Sequence, residues 1–439
     1  MTRNILIIQR RMTEYRVPLF EALRQRLAKN GVALQVIYGT PSAAEALRGD
    51  AGSLSWGVEI PCRYLLPEAF HITWQNIPPQ LIEKQDMVII PHENMQMMNY
   101  LLLFKRHLLK KMILAFWGHG ANFQPRAHNY ISEKIRGWTA RQADWFFAYT
   151  PLSVNKVIST GFPAQRITCL NNSIDTTSFK IWQADITAGE QQVLLRALGF
   201  QGKKLGIFLG GLYQDKRLDF LFAAANELRR RIPDFELLII GDGPQRDLVR
   251  KYVSSRPWCH WSGARHGRDK VLYGSLGQIM LNPGLVGLNI LDSFCLGIPL
   301  ITTDCHIHSP EIAYLESGRN GVMTINKLTP YVDAAEQLLT EPVLRKELSR
   351  NCSIDANRYS LDNMVKNFCS GITQALAPPS SPDTLHVVVI WQRFLPYHKA
   401  RIRHLNTRLT QLGCRLTAIE VASQDSSYGF AETSDNGDF

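Results

Sequence analysis

The sequence predicts an α/β protein with two open parallel sheets whose carboxyl edges face a central cleft. Short apolar runs alternate with amphipathic stretches, a pattern typical of parallel strands joined by crossover helices. The pattern restarts after a polar stretch near residues 183–202. The length of 439 residues also exceeds what one hydrophobic core usually serves. We therefore expect two domains that bind ligands at the carboxyl ends of their strands.

The first domain is expected over residues 1–185. It opens with the apolar run NILIIQ, from Asn4, and continues with an amphipathic helix that stops at Gly31. The second domain is expected over residues 186–376. There KLGIFLGGL, KRLDFLFAAANELRRRIPD and FELLIIGDGP predict a strand, a helix and a strand, and LDNMVKNFCSGITQAL (361–376) predicts a closing helix.

A linker, APPSSPD (377–383), leads to a tail over residues 384–439. The tail segment HVVVIWQRFLPYHKARIRHLNTRLTQLGCRLTAIE resembles NILIIQRRMTEYRVPLFEALRQRLAKNGVALQVIY at the start of the chain, with Gln392 and Arg393 matching Gln9 and Arg10. One interpretation is that all strand-helix-strand openings look alike. The other is that a partial second copy of the first domain begins here. Three elements cannot bury a core alone, so we expect the tail to dock elsewhere or to be loosely held.

Charge and composition exclude several classes of protein. The formal charge of +11 favours anionic partners. No nucleic-acid-binding signature accompanies this charge, so nucleic acid is not an expected partner. The eight cysteines are scattered without a C-x-x-C pair, which predicts reduced thiols and no metal site. Without a signal-peptide pattern or a membrane-spanning apolar stretch, we expect a cytoplasmic protein.

Glycine-rich turns follow several strands of the second domain. FLGGLYQDKRLD places Gly210 and Gly211 at a strand end and Lys216 before a helix, so backbone amides and an ammonium group could hold an anion. NPGLVGLNILDSFCLGIPLITTD (282–304) is a second such turn, and Asp292 is the one acidic residue in the helix that follows it. IIGDGPQRDLV lacks the G-x-G-x-x-G spacing of dinucleotide sites. Each turn is also compatible with an ordinary strand-to-helix connection.

A histidine turn stands out in the first domain. FWGHGANFQP (116–125) places His119 between two glycines after an apolar run. On such an exposed turn a histidine can contact a ligand and titrate near neutral pH, although a lone histidine more often has a structural role.

A basic cluster lies further upstream, in FKRHLLKKM (104–112). Its cations, Lys105, Arg106, Lys110 and Lys111, stand beside leucines. Such a segment is typical either of a solvated helix face or of an interfacial helix that binds anionic lipid. The second interpretation would place the protein peripherally on the inner face of a membrane.

Taken in order, these segments resemble the retaining, nucleotide-sugar-dependent glycosyltransferases of the GT-B fold, specifically glycosyltransferase family 4. The segments are RVPLFEALRQRL, WGHG, STGFPAQRITCLNNSIDTTSF, GGLYQDKRLDFLFAAANEL, PDFELLIIGDGP, WSG, NPGLVGLNILDSFCLGIPLITTD and SPEIAYLESGRNGVM. The resemblance covers roughly residues 1–376 and implies two Rossmann-like domains. It implies a nucleotide-diphosphate sugar donor, a glycan or lipid-linked acceptor in surface polysaccharide synthesis, and no metal or other cofactor.

The resemblance also implies roles for individual residues. Lys216 would bind the donor diphosphate, and His119 would lie near the transferred sugar; these are the catalytic candidates. Asp292 takes the place of the second glutamate of a Glu-x7-Glu motif, which grips the donor ribose. The remaining donor-binding candidates are the Gly210-Gly211 loop, the amides of Gly287, Leu288 and Asn289, and Glu311.

Two positions depart from the family pattern. Gly284 stands where the motif has its first glutamate, and Gly211 stands where an arginine usually precedes the donor-site lysine. Arg217 or Arg265 could replace that arginine. These departures keep two alternatives open: a non-catalytic relative that binds nucleotide sugar or glycan, and a GT-B sugar-nucleotide epimerase.

Overall fold

The structure is a computed structural model that describes residues 2–46, 50–65, 72–109, 112–120, 130–377, 386–391, 396–411 and 414–420. The chain divides into two compact units, Met1–Leu376 and Ala377–Phe439. No helix within the described ranges is both long and apolar enough to cross a membrane. The larger unit contains two parallel sheets with helices on their faces, which confirms the predicted α/β class.

The first sheet has seven parallel strands and is built from the amino-terminal part of the chain. Its elements are β1 (Arg3–Gln9), α1 (Val17–Lys29), β2 (Val32–Gly39), α2 (Ala43–Ala46), β3 (Val58–Ile60), β4 (Cys62–Tyr64), β5 (Thr73–Gln75), α3 (Pro79–Glu83), β6 (Met87–Pro91), α4 (Met97–Leu109), β7 (Ile113–Gly118), α5 (Tyr130–Arg141), β8 (Trp145–Ala148), α6 (Pro151–Ser159) and β9 (Ile167–Cys169). The strand order is β3-β2-β1-β6-β7-β8-β9, and β4 and β5 form a separate antiparallel pair. The order reverses between β1 and β6, where an open sheet of this kind binds ligands.

The second sheet has six parallel strands. Its elements are α7 (Thr176–Asp185), α8 (Ala188–Ala197), β10 (Lys204–Leu209), α9 (Leu218–Arg231), β11 (Phe235–Ile240), α10 (Arg246–Val253), β12 (Cys259–Trp261), α11 (Gly267–Gly274), β13 (Ile279–Leu281), α12 (Asn289–Leu296), β14 (Leu300–Thr303), β15 (Gly321–Thr324), α13 (Leu328–Thr340), α14 (Pro342–Arg358) and α15 (Leu361–Leu376). The order β12-β11-β10-β13-β14-β15 reverses between β10 and β13. Both β10 and β13 are followed by glycine-containing turns.

Two helices pack outside the domain to which the sequence assigns them. Phe179 of α7, within the predicted first domain, lies in the core of the second sheet. The closing helix α15 instead packs on the first sheet, where the Phe368 ring lies 5.1 Å from Trp117 and 4.6 Å from Phe147. An apolar helix face shows that the helix is buried but not which sheet buries it.

The smaller unit contains β16 (His386–Trp391), α16 (Pro396–Gln411) and β17 (Arg415–Glu420). The two strands are parallel, and His386 pairs with Arg415 just as Arg3 pairs with Val32, a separation of 29 residues in each case. Both interpretations of the tail predict this strand-helix-strand topology. Gln392 and Arg393 lie outside the described residues.

Candidate functional site

Two cavities open at the carboxyl edges of the sheets of the larger unit. The first has a volume of about 310 Å³ and lies at the first sheet, lined by Gln9, Arg10, Arg11, Thr13, Tyr15, Arg16, Asp50, Pro91, His92, Glu93, Trp117, Gly118, His119, Arg136 and Tyr149. The second, of about 360 Å³, is bounded by both sheets and lined by Tyr15, Arg16, His119, Tyr149, Asn172, Gly210, Gly211, Tyr213, Lys216, Leu285, Gly287, Leu288, Asn289, Ser309 and Glu311. Four residues line both cavities, so the cavities meet: Tyr15, Arg16, His119 and Tyr149.

Lys216 lines the second cavity from a short 3₁₀ turn between β10 and α9. The residue is only 3% exposed, and its Nζ donates a hydrogen bond to the carbonyl oxygen of Leu285 at 2.6 Å. Burial lowers the pKa of this ammonium group to about 8, against the opposing effect of the carboxylates of Asp292 and Asp215. An ammonium group has three N–H donors, so two remain for a ligand.

The two glycines after β10 leave space for Lys216 and for a neighbouring ring. Gly210 has a φ of 151°, a conformation that favours glycine, and a Cβ there would lie 3.6 Å from Nζ of Lys216. A Cβ on Gly211 would lie 2.7 Å from the ring of Tyr213. The ring of Tyr213 therefore occupies the space into which a side chain at Gly211 would extend.

Gly284 is required by close backbone packing. A Cβ at this position would lie 2.2 Å from the carbonyl oxygen of Asp215 and 2.6 Å from the carbonyl carbon of Lys216. The next amide, that of Leu285, donates to the same Asp215 oxygen at 2.8 Å. The Lys216 turn thus rests directly on the backbone where the family motif has a glutamate side chain.

Asp292 does not line either cavity. It lies on α12, and its Oδ1 forms an ion pair with Nζ of Lys270 on α11 at 2.6 Å. Its side chain is 12% exposed. The carboxylate of this predicted ribose-binding residue is therefore engaged by a cation on a neighbouring helix, although its charge still acts on Lys216.

The start of α12 borders the second cavity, as predicted for Gly287, Leu288 and Asn289. The amide of Gly287 donates to Oδ1 of Asn289 at 3.0 Å, so this amide is already engaged within the protein. Nδ2 of Asn289 is a buried donor with no hydrogen-bond partner among the described residues. The start of α12 therefore presents the side-chain amide of Asn289 as a hydrogen-bond donor. The sequence had predicted only its backbone amide as a ligand contact.

Glu311 lies in the second cavity but is bound across the cleft. It is 3% exposed, and its Oε1 accepts a hydrogen bond from Nδ2 of Asn172 at 2.8 Å. Burial raises the pKa of the Glu311 carboxyl, which this hydrogen bond opposes. Asn172 follows β9, and its carbonyl oxygen also accepts from the Tyr314 hydroxyl at 3.1 Å. Glu311 therefore joins the two halves of the larger unit as well as lining the cavity.

His119 lies where the two cavities meet. Its ring lies against Tyr149, with 4.4 Å between centroids. Burial, together with the positive charges of Arg16 and Arg136, lowers the pKa of His119 to about 4. The expectation of an exposed histidine that titrates near neutrality is wrong, because the imidazole is enclosed beside cations and stays neutral at pH 7.

Arg16 is the main cleft residue that sequence reasoning missed. Its Nη2 donates to the Tyr149 hydroxyl at 2.6 Å, its Nε donates to the Tyr15 hydroxyl at 2.9 Å, and its guanidinium lies 4.8 Å from the centre of the Trp117 ring. Its position in RVPLFEALRQRL, immediately before the first helix and near the carboxyl end of β1, could have indicated a place in the cleft.

The proposed substitutes for the missing arginine do not line the second cavity. Arg217 is fixed by hydrogen bonds from Nη1 to the Pro283 carbonyl (3.2 Å), Thr303 Oγ1 (3.0 Å) and Asn326 Oδ1 (2.7 Å). Arg265 lies over the ring of Tyr273, 4.4 Å from its centre.

The basic cluster of residues 104–112 is only partly described. Arg106 forms a bidentate ion pair with Asp144, one arm of which measures 2.7 Å, and Asp144 also accepts from the amide of Leu114. This arginine therefore helps to hold α4 against the sheet. Lys110 and Lys111 lie outside the described residues. Within the described ranges, no three His, Cys, Asp or Glu side chains group in a way that could hold a metal ion.

Comparisons with known proteins agree with this architecture. The family model described as Glycosyl transferases group 1 matches residues 203–341. Alpha-D-kanosaminyltransferase of Streptomyces kanamyceticus is 28% identical over 192 residues, 40% of this chain and 47% of that protein. Alpha-monoglucosyldiacylglycerol synthase of Acholeplasma laidlawii is 21% identical over 252 residues, 56% of this chain and 62% of that protein. The chain thus spans about half the length of the first relative and less than two thirds of the second.

A solved structure shows the same fold. The structure of Anabaena HepE in complex with UDP and glucose has a TM-score of 0.61 and 12% sequence identity, and the match covers 84% of this chain and 99% of that chain. This likeness establishes the GT-B fold, in agreement with the prediction. Residues 203–341, which match the Glycosyl transferases group 1 model, carry Lys216 and the turn at Gly284 within a chain of GT-B fold.

Proposed function

We propose that this protein is a retaining glycosyltransferase of family 4. It would move a sugar from a nucleotide-diphosphate donor to a glycan or lipid-linked acceptor in surface polysaccharide synthesis. The main support for the proposal is that the two cavities join, because Tyr15, Arg16, His119 and Tyr149 line both of them. A donor in the second cavity and an acceptor hydroxyl in the first would then meet beside His119. The names of the two curated relatives, a kanosaminyltransferase and a glucosyldiacylglycerol synthase, support sugar transfer and a lipid acceptor.

The chemistry would be largely electrostatic. The bond between the anomeric carbon and the diphosphate oxygen breaks and leaves its electron pair on the diphosphate. The acceptor oxygen bonds to that carbon and passes its proton to the departing diphosphate oxygen. The ammonium of Lys216 and the amino end of α12 would stabilise the leaving diphosphate as its charge develops. His119, neutral at pH 7, would hydrogen-bond the transferred sugar rather than act as a cation.

The test is to incubate the purified chain with UDP-, GDP-, ADP- and dTDP-sugars and a lipid-linked glycan pool. Release of nucleoside diphosphate that depends on the acceptor, with the product anomer read by NMR, would establish transfer and its stereochemistry. We propose that Lys216 and backbone dipoles supply the positive charge without a metal ion. Activity that disappears in EDTA and returns with Mg²⁺ would contradict this part.

A non-catalytic binding protein is the second candidate, and two observations favour it. Gly284 supplies no carboxylate, and Asp292 is ion-paired with Lys270 and lines neither cavity. Calorimetric binding of a nucleotide sugar, with neither transfer nor hydrolysis over many hours, would support this candidate against the first.

The proposal includes a cytoplasmic protein that contacts the inner face of the membrane through the cluster of residues 104–112. Lys105, Lys110 and Lys111 are the cations to test, because Arg106 is committed to Asp144. Replacing all three lysines with glutamine should reduce the fraction of protein that sediments with vesicles containing anionic lipid. The fraction that sediments with neutral vesicles should not change. Equal binding of both vesicle types by the wild-type protein would refute the membrane contact.

A further inference from the structure

Arg16 forms no ion pair with a carboxylate among the described residues, although its charge acts at longer range on the carboxyl of Glu311. The residue is partly buried at the point where the two cavities meet. Its hydrogen-bond partners are Tyr15, Tyr149 and Gln9, and its guanidinium lies over Trp117; all four are neutral groups. Among the described residues, no Asp or Glu lies within ion-pair distance of it. A partly desolvated cation without a counter-ion is costly, so a site that keeps one is suited to an anionic ligand.

The neighbouring arginines of the first cavity differ from Arg16. Arg10 forms an ion pair with Glu45 at 2.6 Å, and Arg11 forms a bidentate pair with Asp50 at 2.8 and 2.9 Å. Arg136, which also lines this cavity, pairs with Glu133 at 3.7 Å. Their charges are compensated within the protein. Arg16 is therefore the arginine of this region that is available to a ligand's negative charge.

The second domain contributes no guanidinium to the second cavity. Gly211 has no side chain, and the space beside it is filled by the ring of Tyr213. Arg217 is bound to three acceptors of its own domain. Among the lining residues, the cations are Lys216 from the second domain and Arg16 from the first.

We propose that Arg16 binds the donor diphosphate across the cleft, as a second cation that replaces the arginine absent at Gly211. This inference rests on the proposed function and names the partner of the diphosphate in the first domain. A guanidinium has five N–H donors, of which three are used by Gln9, Tyr15 and Tyr149, so two remain for phosphate oxygens. A planar pair of donors matches phosphate geometry well.

This placement has a consequence for the order of events. Because Arg16 and Lys216 belong to different domains, a bound diphosphate would join the two halves of the cleft. The same arginine lines the first cavity, so the closed arrangement would also complete the wall against which the acceptor lies. Donor binding and acceptor binding would then be coupled through Arg16, reciprocally.

The experiment is calorimetry on the full chain with UDP, GDP, ADP and dTDP, each paired with its monophosphate. The variants are Arg16→Gln, Arg16→Lys and Tyr149→Phe, and the control is Arg26→Gln on the opposite end of α1, where Arg26 forms a solvent-exposed ion pair with Asp362. We expect Arg16→Gln to weaken the diphosphate by about 10- to 100-fold and the monophosphate by less than about 3-fold. Arg16→Lys should recover part of the loss, and Arg26→Gln should match the wild type.

The readout is the ratio of diphosphate to monophosphate affinity, which a general loss of packing would not change selectively. An unchanged ratio in Arg16→Gln, or a loss seen only in the acceptor KM, overturns the assignment while leaving the proposed function intact. If Arg16→Gln does not fold, the same ratio is read from Arg16→Lys and Tyr149→Phe, and wild-type ratios in both overturn it equally. Failure of the wild-type protein to bind any of the four diphosphates would refute the proposed function and the Arg16 assignment together.

Discussion

Restoring the family glutamate at Gly284 should damage the protein rather than improve it. A Cβ there would lie 2.2 Å from the Asp215 carbonyl oxygen and 2.6 Å from the Lys216 carbonyl carbon. An ordinary contact between such atoms is about 3.5 Å, so the Lys216 turn would have to move by about 1 Å. Overpacking of this kind typically costs about 1–3 kcal/mol. Loss of the Leu285–Asp215 hydrogen bond would add about 0.5–1.5 kcal/mol.

The prediction is therefore that Gly284→Ala destabilises the chain by about 1.5–4.5 kcal/mol, the sum of these two effects. It should also weaken nucleoside diphosphate binding, because the displaced turn carries Lys216. Gly284→Glu should do both at least as strongly. Stability is measured by urea unfolding, and affinity by calorimetry with the diphosphate that binds the wild-type chain best.

Gly189 provides a control at which the expected change in stability is opposite to that at Gly284. Gly189 lies in helix α8, and the nearest atom to a Cβ placed there is Thr187 Oγ1 at 3.8 Å. Alanine in a helix is more favourable than glycine by about 0.5–1 kcal/mol, so Gly189→Ala should stabilise the chain slightly. Wild-type stability and affinity in Gly284→Ala would refute the backbone-packing argument. Increased transfer by Gly284→Glu would show that the site lacks only a carboxylate.

Four further predictions concern charged and polar groups of the cleft. Because burial lowers the pKa of Lys216 to about 8, diphosphate affinity should fall as the pH rises through that value, while Lys216→Arg should remove this dependence; calorimetry at several pH values tests both. His119→Asn should lower turnover without altering the shape of the pH–rate profile above pH 6, because the pKa of His119 is about 4 and its imidazole is already neutral there. Asn172→Leu should cost about 1–3 kcal/mol in urea unfolding by leaving Glu311 without its donor. Because burial raises the pKa of Glu311, the wild-type chain should lose folding stability as rising pH ionises this buried carboxyl. Glu311→Gln keeps the hydrogen bond from Asn172 but cannot ionise, so this pH-dependent loss should disappear in urea unfolding.

The sheets could be predicted because their signals are local. Each central strand is a continuous apolar run followed by a turn, and the structure buries Ile5 to Gln9 in β1 and all of β11 between layers of helices. The turns after β10 and β13 were located in the same way, because glycine is needed where backbones approach closely. Local patterns do not show which sheet a helix covers, and so the boundary at residues 185/186 did not indicate which core α7 and α15 join.

The chemistry of the cleft was harder to predict because it depends on contacts between distant segments. Motif spacing located Asp292 on α12, but its partner Lys270 lies 22 residues earlier on a different helix. The lowered pKa of His119 depends on burial and on Arg16 and Arg136, which approach it only in the folded chain. A resemblance transfers positions along the backbone, whereas charge and titration follow from neighbours that the resemblance does not specify.

The glycine at position 284 and the burial of Lys216 are parts of the same packing contact. Gly284 has no side chain because the Lys216 turn rests on its backbone, and the same loop provides the Leu285 carbonyl that Lys216 bonds. The carboxylate missing at Gly284 would have been a negative group beside this ammonium. Glu311, the one acidic residue among those lining the second cavity, is bound by Asn172, and burial raises its pKa. The side chains that line the second cavity thus include two cations, Arg16 and Lys216, and one carboxyl group, and a bound diphosphate would balance the excess positive charge.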